Sequence, residues 1–262
     1  MAKKKINISQ SLIKDMVKYE NEGYCGNLME EKWIKGNLID LDSDVINQGC
    51  YFEYLATGQL PKNGEVPEPE TLKNGDLSAP YRRVYAQAEN FKLMCIQMGI
   101  EILDTGEHKV KNGLDGVRDI KAKYKGEIIT IDTKYSGLIN DEWNPMGWKD
   151  LVNGNNRGKQ LDYHKIQATH YTYVFGDPFY YWVFSSAAGA EDTGENLFVM
   201  MDISQEEIDL HLDRSSWTAE RLNFYSKFGF EPRPAYNNCM KCPLFEKCED
   251  AKRVQEPIIV KV

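Results

Sequence analysis

Gly116-Val117-Arg118-Asp119-Ile120-Lys121-Ala122-Lys123-Tyr124-Lys125-Gly126-Glu127-Ile128-Ile129-Thr130-Ile131-Asp132-Thr133-Lys134 is the stretch that decides the fold. It reads as a β-hairpin: a first strand from about Val117, a turn at Lys125-Gly126, and a second strand from Glu127 to Lys134 rich in β-branched residues. Side chains two apart on a strand share a face, so Asp132 and Lys134 project together while Ile129 and Ile131 turn toward a core. An acid beside a lysine, facing a second acid on the partner strand, suits metal-assisted phosphodiester hydrolysis. The carboxylates hold Mg²⁺ or Mn²⁺, and the lysine steadies developing negative charge. Asp115 and Asp119 compete for the place of that second acid. The alternative is an exposed hairpin whose acids and lysine are simply solvated.

Three flanking segments bear on the choice. Gly49-Cys50-Tyr51-Phe52-Glu53-Tyr54 lies in a stretch of helical periodicity that Asp42 or Ser43 can cap. Gln167-Ala168-Thr169-His170-Tyr171 falls in an apolar-periodic stretch from Leu161 to Phe175, with Gln167 and Tyr171 on one helical face. Cys239, Cys242 and Cys248 place three thiols within ten residues, a spacing suited to one metal centre. Cys50 and Cys95 read as small core residues.

The hairpin resembles the PD-(D/E)xK nuclease superfamily, and within it the RecB-type domains, which carry Gly-x-x-Asp on one strand and Asp-x-Lys on the next. Gly116 to Asp119 and Asp132 to Lys134 match that order, and only Asp119 has the glycine three residues before it. Those domains open with a helix bearing Gly-x-x-x-His, whose histidine binds metal. Glu53 stands at that place here, a departure that leaves a hard oxygen ligand or an exposed helix residue as alternatives. A later Gln-x-x-x-Tyr helix approaches the active site and the DNA backbone, a role the resemblance passes to Gln167 and Tyr171. The cysteine layout is similar to that of CRISPR-associated RecB-like exonucleases and AddB nuclease subunits. It implies a [4Fe–4S] cluster held by Cys25, Cys239, Cys242 and Cys248, with Zn²⁺ on the same thiols as the alternative. The likeness spans about residues 20 to 250. It implies an α/β restriction-endonuclease-like core, a mixed sheet flanked by helices, and a C-terminal cysteine staple.

Composition agrees with one elaborated domain over residues 1–262. Its expected parts are an N-terminal helical segment to about 44, a nuclease core over 45–203, and a C-terminal helix with the cysteine cluster over 204–262. The basic Met1-Ala2-Lys3-Lys4-Lys5 start has no apolar run after it, and no stretch approaches a membrane span of roughly 18 apolar residues. Six cysteines without a secretion signal point to metal binding in a reducing cytoplasm, bacterial or phage-infected. A net charge of −8 runs against the basic footprint of nucleic-acid enzymes. Lys121, Lys123 and Lys125 share strand parity with Asp119 and offer a local basic stripe for DNA, or else a solvated edge. Lys149, Arg157, Lys159 and Lys165 present the same pair of readings. Trp143 and Trp148 fall in an expected loop over 137–158, where they can stack on unpaired bases or cap a core. Phe179 to Ser186 and Leu197 to Ile203 read as strands, and Ser204 with Glu207 as a capping box.

The function implied is a Mg²⁺- or Mn²⁺-dependent DNA exonuclease acting on free ends or single strands. A structure-specific endonuclease and a non-catalytic DNA-end-binding or assembly subunit are the alternatives.

Overall fold

The computed structural model describes residues 7–37, 43–61, 64–139, 143, 157–234, 239–240 and 242–253. Trp148, Lys149 and the side chains of Arg157 and Lys159 lie outside the described residues. By contact the chain divides into two units, Met1–Gln10 with Asp42–Leu212, and Ser11–Leu41 with Asp213–Val262.

The first unit is built on the hairpin. Strands β3 (Leu114–Tyr124) and β4 (Glu127–Ser136) are joined by Lys125 and Gly126, with φ of 49° and 89°. Two left-handed residues in succession make the tight turn whose twist matches the strands it connects. Lys125 is therefore a turn residue and not part of the strand row containing Lys121 and Lys123.

One edge of β3 pairs antiparallel with β2 (Glu101–Lys111) along almost its whole length. Its other edge is shared. The short β1 (Ile8–Ser9) runs parallel to Leu114 and Asp115, and β4 runs antiparallel from Ile120 to Tyr124. Gly116 to Asp119 lies between these two ladders and belongs to neither. The sheet continues from β4 to a parallel β5 (Phe179–Ser185) and an antiparallel β6 (Asn196–Met201).

Helices cover both faces of this mixed sheet. Helix α3 (Asp44–Thr57) is capped by Ser43, whose side chain accepts from the Ile46 amide at 3.3 Å, and it ends in a left-handed Gly58. With α4 (Ala79–Met98) it packs Phe52, Val84, Ala88 and Phe91 on Ile120, Ala122, Ile129, Ile131, Trp182 and Phe184. Helix α5 (Arg157–Phe175) covers the other face, setting Ala168, Tyr171, Val174 and Phe175 on Phe179, Tyr181 and Val183. The odd residues of β5 thus serve one core and the even residues the other, as a strand buried on both faces requires. The short α6 (Ala190–Thr193) is held from α4, where Gln87 and Asn90 donate to the Ala190 and Gly194 carbonyls.

Helix α7 (Gln205–Phe228) begins in the expected capping box: the Ser204 amide donates to Glu207, and the Glu207 amide donates to the Ser204 hydroxyl. The second unit contains α1 from Ser11 onward (the helix spans Gln10–Glu22), α2 (Gly26–Met29) with a π-helical turn over Glu30–Ile34, the rest of α7, and α8 (Glu249–Arg253). Gly26 is obligatory there. A Cβ at that position would lie 2.2 Å from the Glu231 carbonyl oxygen. No helix among the described residues is long and apolar enough to cross a membrane.

Candidate active site

The acids sit where β3 and β4 part. The last ladder pair is Ile120 with Ile131, and the next residues outward on the two strands are Asp119 and Asp132. The expected parity holds through the second strand: Ile129 and Ile131 enter the core under α3 and α4, while Asp132 points to the opposite face. Asp132 is 2% exposed. Its Oδ1 accepts from the Gln167 side-chain amide, and its Oδ2 is ion-paired to Lys134 Nζ while finding no other hydrogen-bond partner.

Asp119 lies close enough to Asp132 and Glu53 for their charges to act on it. Half-buried by surface area but crowded by protein atoms, Asp119 has its pKa pushed well above the usual carboxylate range. Burial is the main cause, and the charges of Asp132 and Glu53 add to it while Lys134 opposes. Burial works against the Lys134 ammonium, yet Asp132, Asp119 and Glu53 outweigh it and raise the lysine pKa. Lys134 is therefore a fixed positive charge, set 5.8 Å above the Tyr181 ring. Glu53, half-buried on α3, reaches the same cluster, since its charge acts on Asp119, Lys134 and Tyr171 alike.

Tyr171 lies one turn beyond Gln167 on α5 and is 6% exposed. Burial pushes its phenol pKa up, the two aspartates add to this, and a hydrogen bond with Gln10 opposes it. Its ring also explains the glycine before Asp119. A Cβ at Gly116 would come within 3.2 Å of the Tyr171 ring, tighter than ordinary packing allows.

Asp115 is elsewhere. Its carboxylate pairs with His108 at 2.5 Å, and its carbonyl lies 3.0 Å from His170 Nε2. The structure thus brings Glu53, Asp119, Asp132, Lys134, Gln167 and Tyr171 together and leaves Asp115 outside. It gathers the basic stripe less well. Lys121 leans to Glu107 at 3.5 Å, Lys123 is exposed, and Lys125 sits over the Tyr124 ring in the turn. Lys165 is ion-paired to Glu207. Trp143 is a core residue, packed against His164 and Tyr181.

Sequence reasoning passed over Arg118. It is 2% exposed, its guanidinium meets Glu107, Asp177 and Thr130, and it stacks 4.6 Å from the Phe175 ring. An arginine alternating with apolar residues inside the motif itself was the available signal.

The second unit assembles the cysteines. Cys25 precedes the first residue of α2, and the Cys242 amide donates to the Cys239 carbonyl at 3.0 Å. Burial chiefly raises the Cys242 thiol pKa, the Leu244 amide opposes by donating to its sulfur at 3.4 Å, and Cys25, Cys239 and Cys248 raise it further. The charges of the other three thiols thus act on Cys242. Asn27 donates to Cys248 Sγ at 3.2 Å and to Asp250 at 3.1 Å. Cys95 lies on the buried side of α4, its pKa pushed up to about 11 by burial, and Cys50 is half-buried in α3. Among the described residues no three histidine, cysteine or acidic side chains already form a metal cage.

Neither a protein-family model nor a curated protein sequence matches the chain. Solved structures do. A protein from Eubacterium rectale assigned as an exonuclease superposes with a TM-score of 0.59 at 18% identity, over 98% of this chain and 91% of its own. LHK-Exo, solved with dAMP, gives 0.48 at 10% identity over 85% and 90% of the two chains. A phage-related exonuclease from Haemophilus somnus 129PT gives 0.46 at 15% identity over 84% and 81%. At these identities the likeness is one of fold, and it rests on the first of the three.

Proposed function

We propose that the chain is a RecB-like, Mg²⁺- or Mn²⁺-dependent deoxyribonuclease that degrades DNA from free or single-stranded ends. The observation that carries this reading is the Asp119–Asp132 pair. The two acids follow the last ladder pair on adjacent strands, and their charges and that of Glu53 disfavour one another, a repulsion that a bound cation relieves. The donor set is hard oxygen, which suits Mg²⁺ or Mn²⁺. Bound by Asp119, Asp132 and Glu53, such an ion supplies Lewis acidity and lowers the pKa of water.

The remaining chemistry belongs to the chain. Lys134, held protonated by the acids, offers a positive charge to the phosphate oxygens as negative charge builds on them. Gln167 fixes the rotamer of Asp132 through its hydrogen bond, and Tyr171 walls the site above Gly116. The exonuclease assignment of the Eubacterium rectale protein, whose fold this chain has, favours end-directed cleavage over the structure-specific endonuclease alternative.

The thiols of Cys25, Cys239, Cys242 and Cys248 are proposed to bind a [4Fe–4S] cluster, with Zn²⁺ as the alternative. All-sulfur donors suit either, and amide groups donate to the Cys242 and Cys248 sulfurs.

The deciding assay compares end-labelled linear DNA with covalently closed circles. Digestion of the linear form alone, dependent on Mg²⁺ or Mn²⁺ and stopped by chelator, is expected. Equal cutting of circles makes the enzyme an endonuclease, and no cutting of either form contradicts the reading.

A further inference from the structure

We propose that Arg118 is a positioning residue that sets the gap between Asp119 and Asp132. This rests on reading those acids as the metal site. Between the last β1 pair at Asp115 and the first β4 pair at Ile120, no backbone ladder among the described residues fixes that edge of β3. Arg118 occupies this gap, one residue before Asp119, and its side chain does what the missing ladder does not.

It ties β3 to three elements. On β2, both Nε and Nη2 donate to Glu107 Oε2, the Nε contact measuring 3.0 Å. On β4, Nη1 donates to the Thr130 hydroxyl at 3.1 Å, two residues before Asp132. In the turn after α5, Nη1 donates to Asp177 at 2.6 Å, while the last residue of that helix, Phe175, lies under the guanidinium. The Pro178 carbonyl beside Asp177 in turn accepts from the Thr130 amide at 2.9 Å. Both acid-bearing strands are thus referred to one planar group.

The opposite edge is also irregular in backbone conformation at this level. Gly106 falls across from Asp119, between the pairs Thr105–Ile120 and Glu107–Arg118, and takes a left-handed φ of 73° there. Stability alone does not account for the arrangement, because a buried ion pair contributes little net folding energy over a packed apolar set. Geometric specification does, since a guanidinium fork fixes the direction of each partner as a lysine ammonium cannot.

Groups behind metal ligands typically change metal affinity about 10–100-fold when altered. The test is Mn²⁺ binding measured by calorimetry on the full chain, with thermal melts as the folding control. Arg118→Lys keeps the charge and loses the fork. Asp177→Asn keeps the guanidinium and disturbs one half-exposed arm, so it serves if the first variant does not fold. Wild-type affinity is expected to fall about 10–100-fold in Arg118→Lys and by a smaller factor in Asp177→Asn, in folded protein. Unchanged Mn²⁺ affinity in whichever variant folds overturns the positioning role. Absence of Mn²⁺ binding by the wild type is a different failure, because it removes the metal site itself.

Discussion

The acid site and the thiol cluster are built on opposite principles. Asp119, Asp132 and Lys134 stand on paired strands buried between two helix layers, so packing places them whether or not a cation is present. Cys25, Cys239, Cys242 and Cys248 stand on a helix cap, short turns and loops, tied by isolated amide contacts. The first is a rigid frame that holds charge under repulsion. The second is a gathering of chain segments to which bound metal would contribute folding energy directly. Mutations should therefore separate rate from stability: the acid site governs rate, and the thiols govern stability.

The largest contrast is in rate. Lys134→Ala removes a charge aimed at the developing phosphate and should lower cleavage about 10²–10³-fold. With saturating Mg²⁺ compensating the acids, its melting temperature should fall less than its rate does. Wild-type digestion by this variant would show that the charge does no chemistry.

The thiols should behave the other way. Cys242→Ala should lose bound metal and lower the melting temperature, with activity lost in step with unfolding. Cys95→Ala should retain the metal, because Cys95 is packed in the core that α3 and α4 form on the sheet. Protein isolated without oxygen should be brown and hold about four irons per chain, the count of that cluster type. Stoichiometric zinc would replace the cluster and leave the contrast intact. A variant that loses metal without losing stability would break it.

A smaller effect tests whether the acid site is strained. Asp119 has a folded-state pKa raised above its unfolded value near 3.9. The stability it contributes is thus complete below that value and is lost as pH rises through the raised pKa. In chelator, Asp119→Asn escapes this loss. Its melting temperature should match the wild type in acid and exceed it increasingly as pH climbs above the ordinary aspartate range. For a chain of this size each kcal/mol corresponds to about 2–4 °C. Saturating Mg²⁺ should then raise the wild type and not the variant. A pH-independent difference would mean that Asp119 is not held against its charge.

Much of this was legible in the sequence. The two-residue strand period and the Lys125-Gly126 turn suffice to pair Asp119 with Asp132, because register follows once the turn is placed. The Ser43 and Ser204 caps were equally readable, being local. What escaped depends on tertiary contact. Glu101–Lys111 carries glycine and charge and is largely exposed, so neither apolar alternation nor β-branched content marks it as a strand. Without β2 there is no Glu107, and without Glu107 Arg118 looks like one more solvated cation. The carboxylate that Lys121 leans toward also comes from that strand. Lys125 was assigned strand parity at a residue the turn itself consumes. Trp143, offered as a base platform or a core cap, took the second place once α5 and β5 closed around it.

The most direct measurement sets the two candidate acids side by side. Asp119→Asn and Asp115→Asn differ by four residues on one strand, keep side-chain size, and remove one charge each. With linear DNA and Mg²⁺, Asp119→Asn should abolish digestion, since a divalent cation loses a charged oxygen ligand. Asp115→Asn should digest at close to the wild-type rate, because its carboxylate serves His108 on β2. The reverse result, with Asp115 essential and Asp119 dispensable, would contradict the placement of the active site at the parting of β3 and β4.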